Sequence, residues 1–266
     1  MLIAERQSRL RDILAQRGMC DLETLAGELG VSQSTVRRDV DLLEQTGVVE
    51  RTHGGVIWVA DKAASASARP YAFHHRMSYR IDPKRQIARA AQALVKPGQT
   101  ILIDGGTTTF YLAEELLGRP LQLVTNSLPI ANLYLNDDNV ELVLTGGLMY
   151  PRYGVLLGPM AEGILATIHV QTLFLSVAGI HDGAMYNQNM LLVQAERRMM
   201  EQAQEIVLLA DSAKFGQQAL SKLGDLADID VVVSDSDLPH DHRQAIAAAG
   251  CQLIIADPPA PKDADD

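Results

Sequence analysis

Apolar residues in the first sixty positions change their period once. Leu10, Ile13 and Leu14 recur at helical spacing and stop before Gly18. Asp21 heads a second such run, in which Leu22, Leu25 and Leu29 make one stripe closed by Gly30. Ser32 opens a third helix with Val36, Val40 and Leu43 on one face, which leaves Gln33, Ser34, Arg37 and Arg38 pointing elsewhere. After Gly47 the pattern becomes that of strands: Val48–Arg51 and Val56–Val59 flank the turn Thr52-His53-Gly54-Gly55. Three helices and a hairpin predict a winged helix-turn-helix over residues 1–59, whose third helix would enter a major groove while the hairpin reaches flanking backbone. The same periodicity suits a small three-helix domain with two surface arginines, and spacing alone leaves both readings open.

Residues 60–70 are small, rich in Ser and Ala and closed by Pro70, which predicts a domain boundary inside a linker of residues 60–83. The basic residues that follow, from His74, His75, Arg76 and Arg80 to Lys84 and Arg85, read as a solvated helix face leading into the next domain, with contact to DNA or a partner subunit as the other reading. From residue 84 onward helical stretches alternate with seven short apolar runs: Thr100–Asp104, Leu121–Thr125, Val140–Leu144, Thr172–Val177, Ile206–Ala210, Asp230–Val233 and Gln252–Ile255. Near-continuous apolar strands with helices between them predict a Rossmann-like α/β domain over residues 84–258, its parallel sheet covered on both faces. Residues 259–266 are expected to be a disordered acidic tail.

Charge changes that picture in one respect. The net charge is -10, the wrong sign for a nucleic-acid binder taken whole. Residues 1–60 hold seven Lys/Arg against nine Asp/Glu, residues 61–89 hold seven against two, and the remainder carries a net -13. Any DNA affinity must therefore come from a few placed arginines and the basic stretch, with the acidic domain facing away from the duplex. The two cysteines, Cys20 and Cys251, lack metal-ligand or disulfide-framework spacing. Charge within the first five residues and the absence of a long apolar run predict a cytoplasmic protein that neither crosses nor binds a membrane.

Candidate chemistry lies at the strand ends, where ligands of such sheets sit. Asp104-Gly105-Gly106-Thr107-Thr108-Thr109 follows a strand and precedes a helix expected over Phe110–Leu117. The glycines free backbone N–H groups, the threonines add hydroxyls and the helix dipole favours an anion, which describes a phosphate cradle. A glycine pair that merely turns the chain is the competing reading. Neither a Walker lysine nor the Gly-x-Gly-x-x-Gly spacing is present, so no nucleotide cofactor is expected. Thr125-Asn126-Ser127, Thr145-Gly146-Gly147 and Asp211-Ser212-Ala213-Lys214-Phe215-Gly216 end three further strands on the same rim. There Lys214 would neutralise an anion, Asn126 and Asp104 would bind hydroxyls, and Gly146-Gly147 would admit close backbone approach.

Two sets of residues carry a resemblance. Leu29-Gly30-Val31-Ser32-Gln33-Ser34-Thr35-Val36-Arg37-Arg38-Asp39 together with Arg51-Thr52-His53-Gly54-Gly55, and the four strand-end motifs in the same order, resemble the DeoR family of bacterial repressors over nearly the whole chain. The resemblance implies DNA contacts from Ser32, Gln33, Ser34, Thr35, Arg37, Arg38, Arg51 and His53. It also implies a sensor half similar to ribose-5-phosphate isomerase that binds a phosphorylated sugar or polyol through Gly105–Thr109, Thr125, Asn126 and Lys214. Operator DNA, a sugar-phosphate effector and a homo-oligomer, dimer or tetramer, are the partners implied. The chain departs from the family at Gly105, where serine is frequent, and along Asn187–Met200. There Asn187, Asn189 and Gln194, with Arg152 elsewhere, are polar enough to read hydroxyls or to serve as helix surface.

The other reading is an isomerase-like enzyme, with Asp104, Asp211 and Lys214 as acid–base groups. A winged helix has no place in such a catalyst. No Ser/His/Asp arrangement or metal cluster stands in the sequence, and His240-Asp241-His242 reads as an exposed turn before a helix. The chain is therefore expected not to be an enzyme.

Overall fold

The computed structural model describes residues 6–7, 9–10, 12–14, 19–45, 49–52, 55–58 and 73–256. The chain divides into two compact units, Met1–Tyr71 and Ala72–Asp266. Residues 60–70 and 259–266, expected as boundary and tail, lie outside the described residues.

In the first unit helical residues at 6–7, 9–10 and 12–14 precede β1 (Met19–Cys20), α1 (Leu22–Leu29), α2 (Gln33–Gln45), β2 (Val49–Thr52) and β3 (Gly55–Trp58). The Asp21 carboxylate caps α1 by accepting the Thr24 N–H at 2.8 Å, and Gly30 ends it at φ 65°, a left-handed conformation that glycine adopts without cost. Val36, Val40 and Leu43 are buried, as their spacing predicts, against Leu10, Leu14, Leu25 and Leu29. β2 and β3 form the expected antiparallel hairpin with Thr52 opposite Gly55. Two residues of β1 add a third strand beside β3, giving the order β1-β3-β2. A two-residue strand is too short for any period to announce it.

The second unit opens with α3 (Phe73–Met77) and α4 (Ile81–Ala91), so residues 73–83, read as the end of a linker, are structured here. There follow β4 (Thr100–Ile103), α5 (Thr107–Glu115), β5 (Leu121–Thr125), α6 (Leu128–Leu133), β6 (Val140–Leu144), β7 (Leu148–Tyr150) and β8 (Val155–Leu157). The rest comprises α7 (Pro159–Leu165), β9 (Val170–Leu175), β10 (Gly179–His181), β11 (Ala184–Asn187), α8 (Met190–Glu201), β12 (Ala203–Leu209), β13 (Ser221–Asp225), β14 (Val231–Asp235), α9 (His240–Ala248) and β15 (Gln252–Ala256).

All seven expected strands enter one parallel sheet in the order β15-β14-β12-β9-β4-β5-β6. Their side chains sort by the two-residue period of a strand. Ile101, Ile103, Phe174, Val207 and Val233 pack on one face with α4 and α5, whereas Leu102, Leu173, Leu175, Leu208 and Val232 pack on the other. Continuous apolar runs are what two covered faces require. The chain runs from β4 through β5 to β6 in one direction, then returns to place β9 beside β4 and continues the other way. The carboxyl ends of β4 and β9 thus bound a topological switch point, where a parallel sheet leaves a crevice.

Two smaller sheets escape the apolar pattern: the β7–β8 hairpin, and β10-β11-β13, turned at Asp182 and Gly183 with both residues at positive φ. α5 begins at Thr107, three residues ahead of the expected Phe110. The extended backbone of Gly106 starts the helix, and the Thr109 hydroxyl donates to the Asp104 and Gly106 carbonyls at 3.1 and 3.0 Å. Thr107–Thr109 are therefore its first turn.

Candidate functional site

In the first unit the burial of Val36 and Val40 turns Gln33, Ser34, Arg37 and Arg38 to solvent. Ser32 and Thr35, expected to share that surface, cap the helix: the Ser32 Oγ accepts the Thr35 N–H at 3.3 Å and lies 2.9 Å from the Ser34 and Thr35 hydroxyls. Asp39, two per cent exposed, takes the Arg6 guanidinium on both its oxygens at 2.5 and 3.1 Å, tying the helix to the N-terminal segment. Arg51 stands in β2, and His53 lies outside the described residues.

In the second unit the switch point holds a small polar cavity of about 20 Å³. Arg76, Asp104, Gly105, Gly106, Tyr153, Ser176, Asn187 and Glu196 line it, brought from six separate elements and loops. Asp104 ends β4, and its carboxylate accepts the Gly106 N–H at 3.1 Å, the Ser176 N–H at 3.0 Å and the Ser176 hydroxyl at 3.1 Å. The loop is thereby locked across to the end of β9. Burial pushes the Asp104 carboxyl up, while those hydrogen bonds pull it down. Both glycines are required by space: a Cβ on Gly105 would lie 2.1 Å from a Val155 methyl, and one on Gly106 would lie 1.7 Å from the Ser176 Oγ. Gly106 provides no side-chain cap, so the first-turn N–H groups of α5 face outward with the dipole behind them.

Arg76 of this lining belongs to a cluster of positive charge that periodicity placed elsewhere. Lys84 is three per cent exposed and donates to the Arg76 and Tyr79 carbonyls, the latter at 2.6 Å. Burial, with Lys214 beside it, holds its amine down to about 8. Arg80 sits 3.0 Å from Asp211 and 3.5 Å from Asp235, and donates to the Ser212 hydroxyl at 3.0 Å. Burial lowers Lys214 too, and Arg76 and Arg80 add to the effect against Asp211. The expectation of a solvated face over this stretch is overturned for Arg76, Arg80 and Lys84. Arg80 reaches Asp211 and Asp235, far along the chain and absent from the local pattern, and Lys84 is held by the Arg76 and Tyr79 carbonyls.

Opposite stands a second acid that sequence reasoning missed. Glu196 of α8 is buried and takes the Asn187 amide on both oxygens, at 2.7 and 2.8 Å. Burial and then the nearby Asp104 carry its carboxyl well above the usual range. Asn187 is further fixed by accepting the Ala178 N–H at 2.7 Å. Its place at the end of an apolar run, like that of Asn126, is the signal available to sequence. The Nε and Nη2 atoms of Arg76 are withdrawn from solvent and have no hydrogen-bond partner among the described residues, and neither does the Asn126 Oδ1.

Of the other expected residues Asn126 stays at the loop, its Oδ1 3.7 Å from where a Gly105 Cβ would stand, while the rest take structural partners. Thr125 spends its hydroxyl on the Ile103 carbonyl at 2.8 Å, and the Asn126 amide donates to the Leu156 carbonyl at 3.2 Å. Gly146 and Gly147 take positive φ, which accounts for the first, and a Cβ on Gly147 would lie 2.7 Å from the Leu157 carbonyl, so close packing against β8 accounts for the second. Asn189 caps α8 and Gln194 pairs with Glu162 on the surface. His240 and His242 lie on the first turn of α9, and no group of potential metal ligands occurs among the described residues.

Two family models match the chain: the DeoR-like helix-turn-helix domain over residues 6–62 and the DeoR C terminal sensor domain over residues 80–236. The chain is 32% identical over 240 residues to an uncharacterized HTH-type transcriptional regulator, YulB, of Bacillus subtilis, covering 90% of this chain and 91% of the relative. It is 29% identical to the HTH-type transcriptional regulator UlaR of Salmonella arizonae, over 96% and 99% of the two chains. It is 31% identical to the "Putative aga operon transcriptional repressor" of Escherichia coli O157:H7, over 95% and 93%. Among solved structures, ribose 5 phosphate isomerase A from Neisseria gonorrhoeae aligns at 18% identity with a TM-score of 0.35, over 50% of this chain and 52% of that one.

Proposed function

The chain belongs to the DeoR family of HTH-type transcription regulators, and on that footing we propose that it represses a carbohydrate-metabolism operon and leaves its operator when a phosphorylated sugar or polyol occupies the end of β4. The observation that carries the effector half is the uncapped first turn of α5 at the switch point, with Arg76 lining the same cavity and Arg80, Lys84 and Lys214 gathered around Arg76. Helix N–H groups and cations meet there as a phosphate requires. Asp104, Asn187 and Glu196 supply the deeper polar wall that sugar hydroxyls need. Gln33, Ser34, Arg37 and Arg38 are the DNA-facing set, with Arg51 and His53 on the wing.

The acid–base groups of the enzyme reading are already engaged. Asp104 is held by Gly106 and Ser176, and Asp211 by Arg80, so neither stands as a free base. This supports a binding site in place of a catalytic one. A second copy of the chain supplies the second winged helix. Leu148 and Met160, 74% and 73% exposed on β7 and α7, adjoin the sequence of the open-edged strand β6 and offer apolar surface for it.

The test is the melting temperature of the purified protein against phosphorylated and unphosphorylated sugars, with Lys214→Ala alongside. A rise with one sugar phosphate, reduced in the variant, is expected; no rise with any phosphorylated compound overturns the effector assignment. Reciprocity adds a second check, since operator DNA must weaken effector binding by the factor with which effector weakens DNA binding.

Binding should also depend on pH. An arriving phosphate favours the charged amine of Lys84, which is half neutral at about pH 8. Effector affinity is therefore expected to fall above pH 8, with proton uptake measurable by calorimetry in two buffers. The unliganded protein behaves oppositely: between about 8 and the ordinary lysine value of 10.5 the unfolded chain binds more protons at this site, so its stability rises with pH. Lys84→Met should flatten both trends.

A further inference from the structure

Arg76 presents a half-buried cation whose solvent-shielded hydrogen-bonding edge is unspent. Its Nε and Nη2 lie on the same side of the guanidinium, the fork that receives two oxygens of one oxyanion. Both atoms are shielded from solvent and unpartnered among the described residues, and the side chain lines the cavity beside Gly105 and Gly106. The two neighbouring acids do not take the fork: Asp104 is occupied by Gly106 and Ser176, and Glu196 by Asn187. Its contact is the face of Tyr153, 5.1 Å from the ring centre. A guanidinium stays charged even when buried, so this fork awaits an anion.

We infer that Arg76 clamps two oxygens of the effector's phosphate on its Nε–Nη2 edge, opposite the first turn of α5, and that this clamp carries occupancy to the DNA-binding unit. The inference rests on the effector reading above and adds a residue and a route to it. The route is covalent. α3 begins at Phe73, two residues beyond the division between the units at Tyr71. Its segment is fastened to the cradle helix: Phe73 meets Phe110 edge-on at 5.7 Å, and the Tyr111 hydroxyl donates to the Met77 carbonyl at 3.2 Å. Lys84 holds the Arg76 and Tyr79 carbonyls from behind. Arg80, a non-glycine residue at φ 52°, is kept in that left-handed conformation by its contacts to Asp211 and Ser212. An anion drawn between α5 and Arg76 shifts this segment against α5, and the movement reaches the first unit along the chain.

The full-length chain reports on both halves. Its one tryptophan, Trp58, stands in β3 of the DNA-binding unit, whereas the cavity residues belong to the second unit. Ribose 5-phosphate, glucose 6-phosphate, inorganic phosphate and the unphosphorylated sugars are titrated into wild type, Arg76→Lys and Arg76→Gln, with melting temperature and Trp58 emission as readouts. Arg76→Lys keeps the charge and loses the two-pronged edge. It is expected to bind the stabilising sugar phosphate at least tenfold more weakly and to lose the emission change, while its unliganded melting temperature stays at or above that of wild type. Should neither variant fold, the Nε–Hε resonance of Arg76 in wild type must move downfield on ligand addition. Variants that bind as wild type does while Lys214→Ala fails overturn the clamp and leave the effector site standing, as does an unmoved Nε–Hε resonance. Wild type that binds ligand with no change at Trp58 overturns the route. Wild type that binds no phosphorylated compound overturns the site and the clamp together.

Discussion

Gly106→Ala is expected to abolish the response to effector while leaving DNA binding intact, giving a repressor that cannot be released. The added Cβ would lie 1.7 Å from the Ser176 Oγ and 2.9 Å from the Ser176 Cβ, so turning the hydroxyl away is not enough. The loop between β4 and α5 must open, and the Asp104 carboxylate then loses the Ser176 N–H and hydroxyl that hold it at 3.0 and 3.1 Å. Overpacking of this kind costs about 1–3 kcal/mol, which the second unit should survive. The anion cradle should not, because its N–H groups bind only when they point to one place. Melting curves with and without the sugar phosphate that stabilises wild type measure both effects. Adding Ser176→Gly to Gly106→Ala removes the colliding atoms and should restore part of the ligand-dependent shift. A single variant that still responds in full would show that the turn does not hold the phosphate.

Arg37→Ala and Arg38→Ala should each weaken operator binding roughly 10- to 100-fold, the effect of about 1–3 kcal/mol per base-reading or phosphate-positioning arginine. Both side chains are exposed on α2, so neither substitution should lower the melting temperature of the first unit. Salt separates their roles. Removing an arginine that binds phosphate reduces the slope of log affinity against log salt by about one, whereas removing one that reads a base relaxes sequence preference and leaves the slope alone. Sites selected from a random DNA pool by wild type supply the probe. Asp39→Ala is a useful contrast, because it frees Arg6 and unties α2 without removing a DNA-facing group. Its weaker binding should therefore come with a lower melting temperature. Unchanged affinity in the double variant Arg37→Ala with Arg38→Ala would remove this helix from the interface.

The two experiments address separate units of a chain whose charge is divided between them. With a net charge of -10, DNA affinity rests on few cations, so single arginines carry unusual weight. In the second unit Arg76, Arg80 and Lys84 are turned inward, while Arg85 and Arg89 stay exposed. Arg80 and Lys84 are spent within the fold, and Arg76 alone keeps an open edge in the cavity among the described residues.

What sequence determined here is what local repetition can encode. Val36, Val40 and Leu43 fixed the inner face of α2, and with it the outward set Gln33, Ser34, Arg37 and Arg38, because a helix turns by a constant angle per residue. Seven apolar runs announced the seven parallel strands, since a strand covered on both faces has no polar alternation to lose. Asp104, Gly105 and Gly106 were legible as a candidate anion loop because they stand where a strand gives way to a helix. Tertiary structure alone decided which strand ends meet. Asp104 faces Ser176 across the switch point, while Thr125 and Gly147 turn to structural duties, an outcome of strand order that no motif states. It alone decided the fate of the basic stretch after the domain boundary. A lysine or arginine at the surface is the default for solvation, and burying one requires counter-charges or carbonyls in place. For Arg80 those are Asp211 and Ser212, more than 130 residues onward, and for Arg76 the nearby acids Asp104 and Glu196, which hydrogen-bond to Gly106, Ser176 and Asn187.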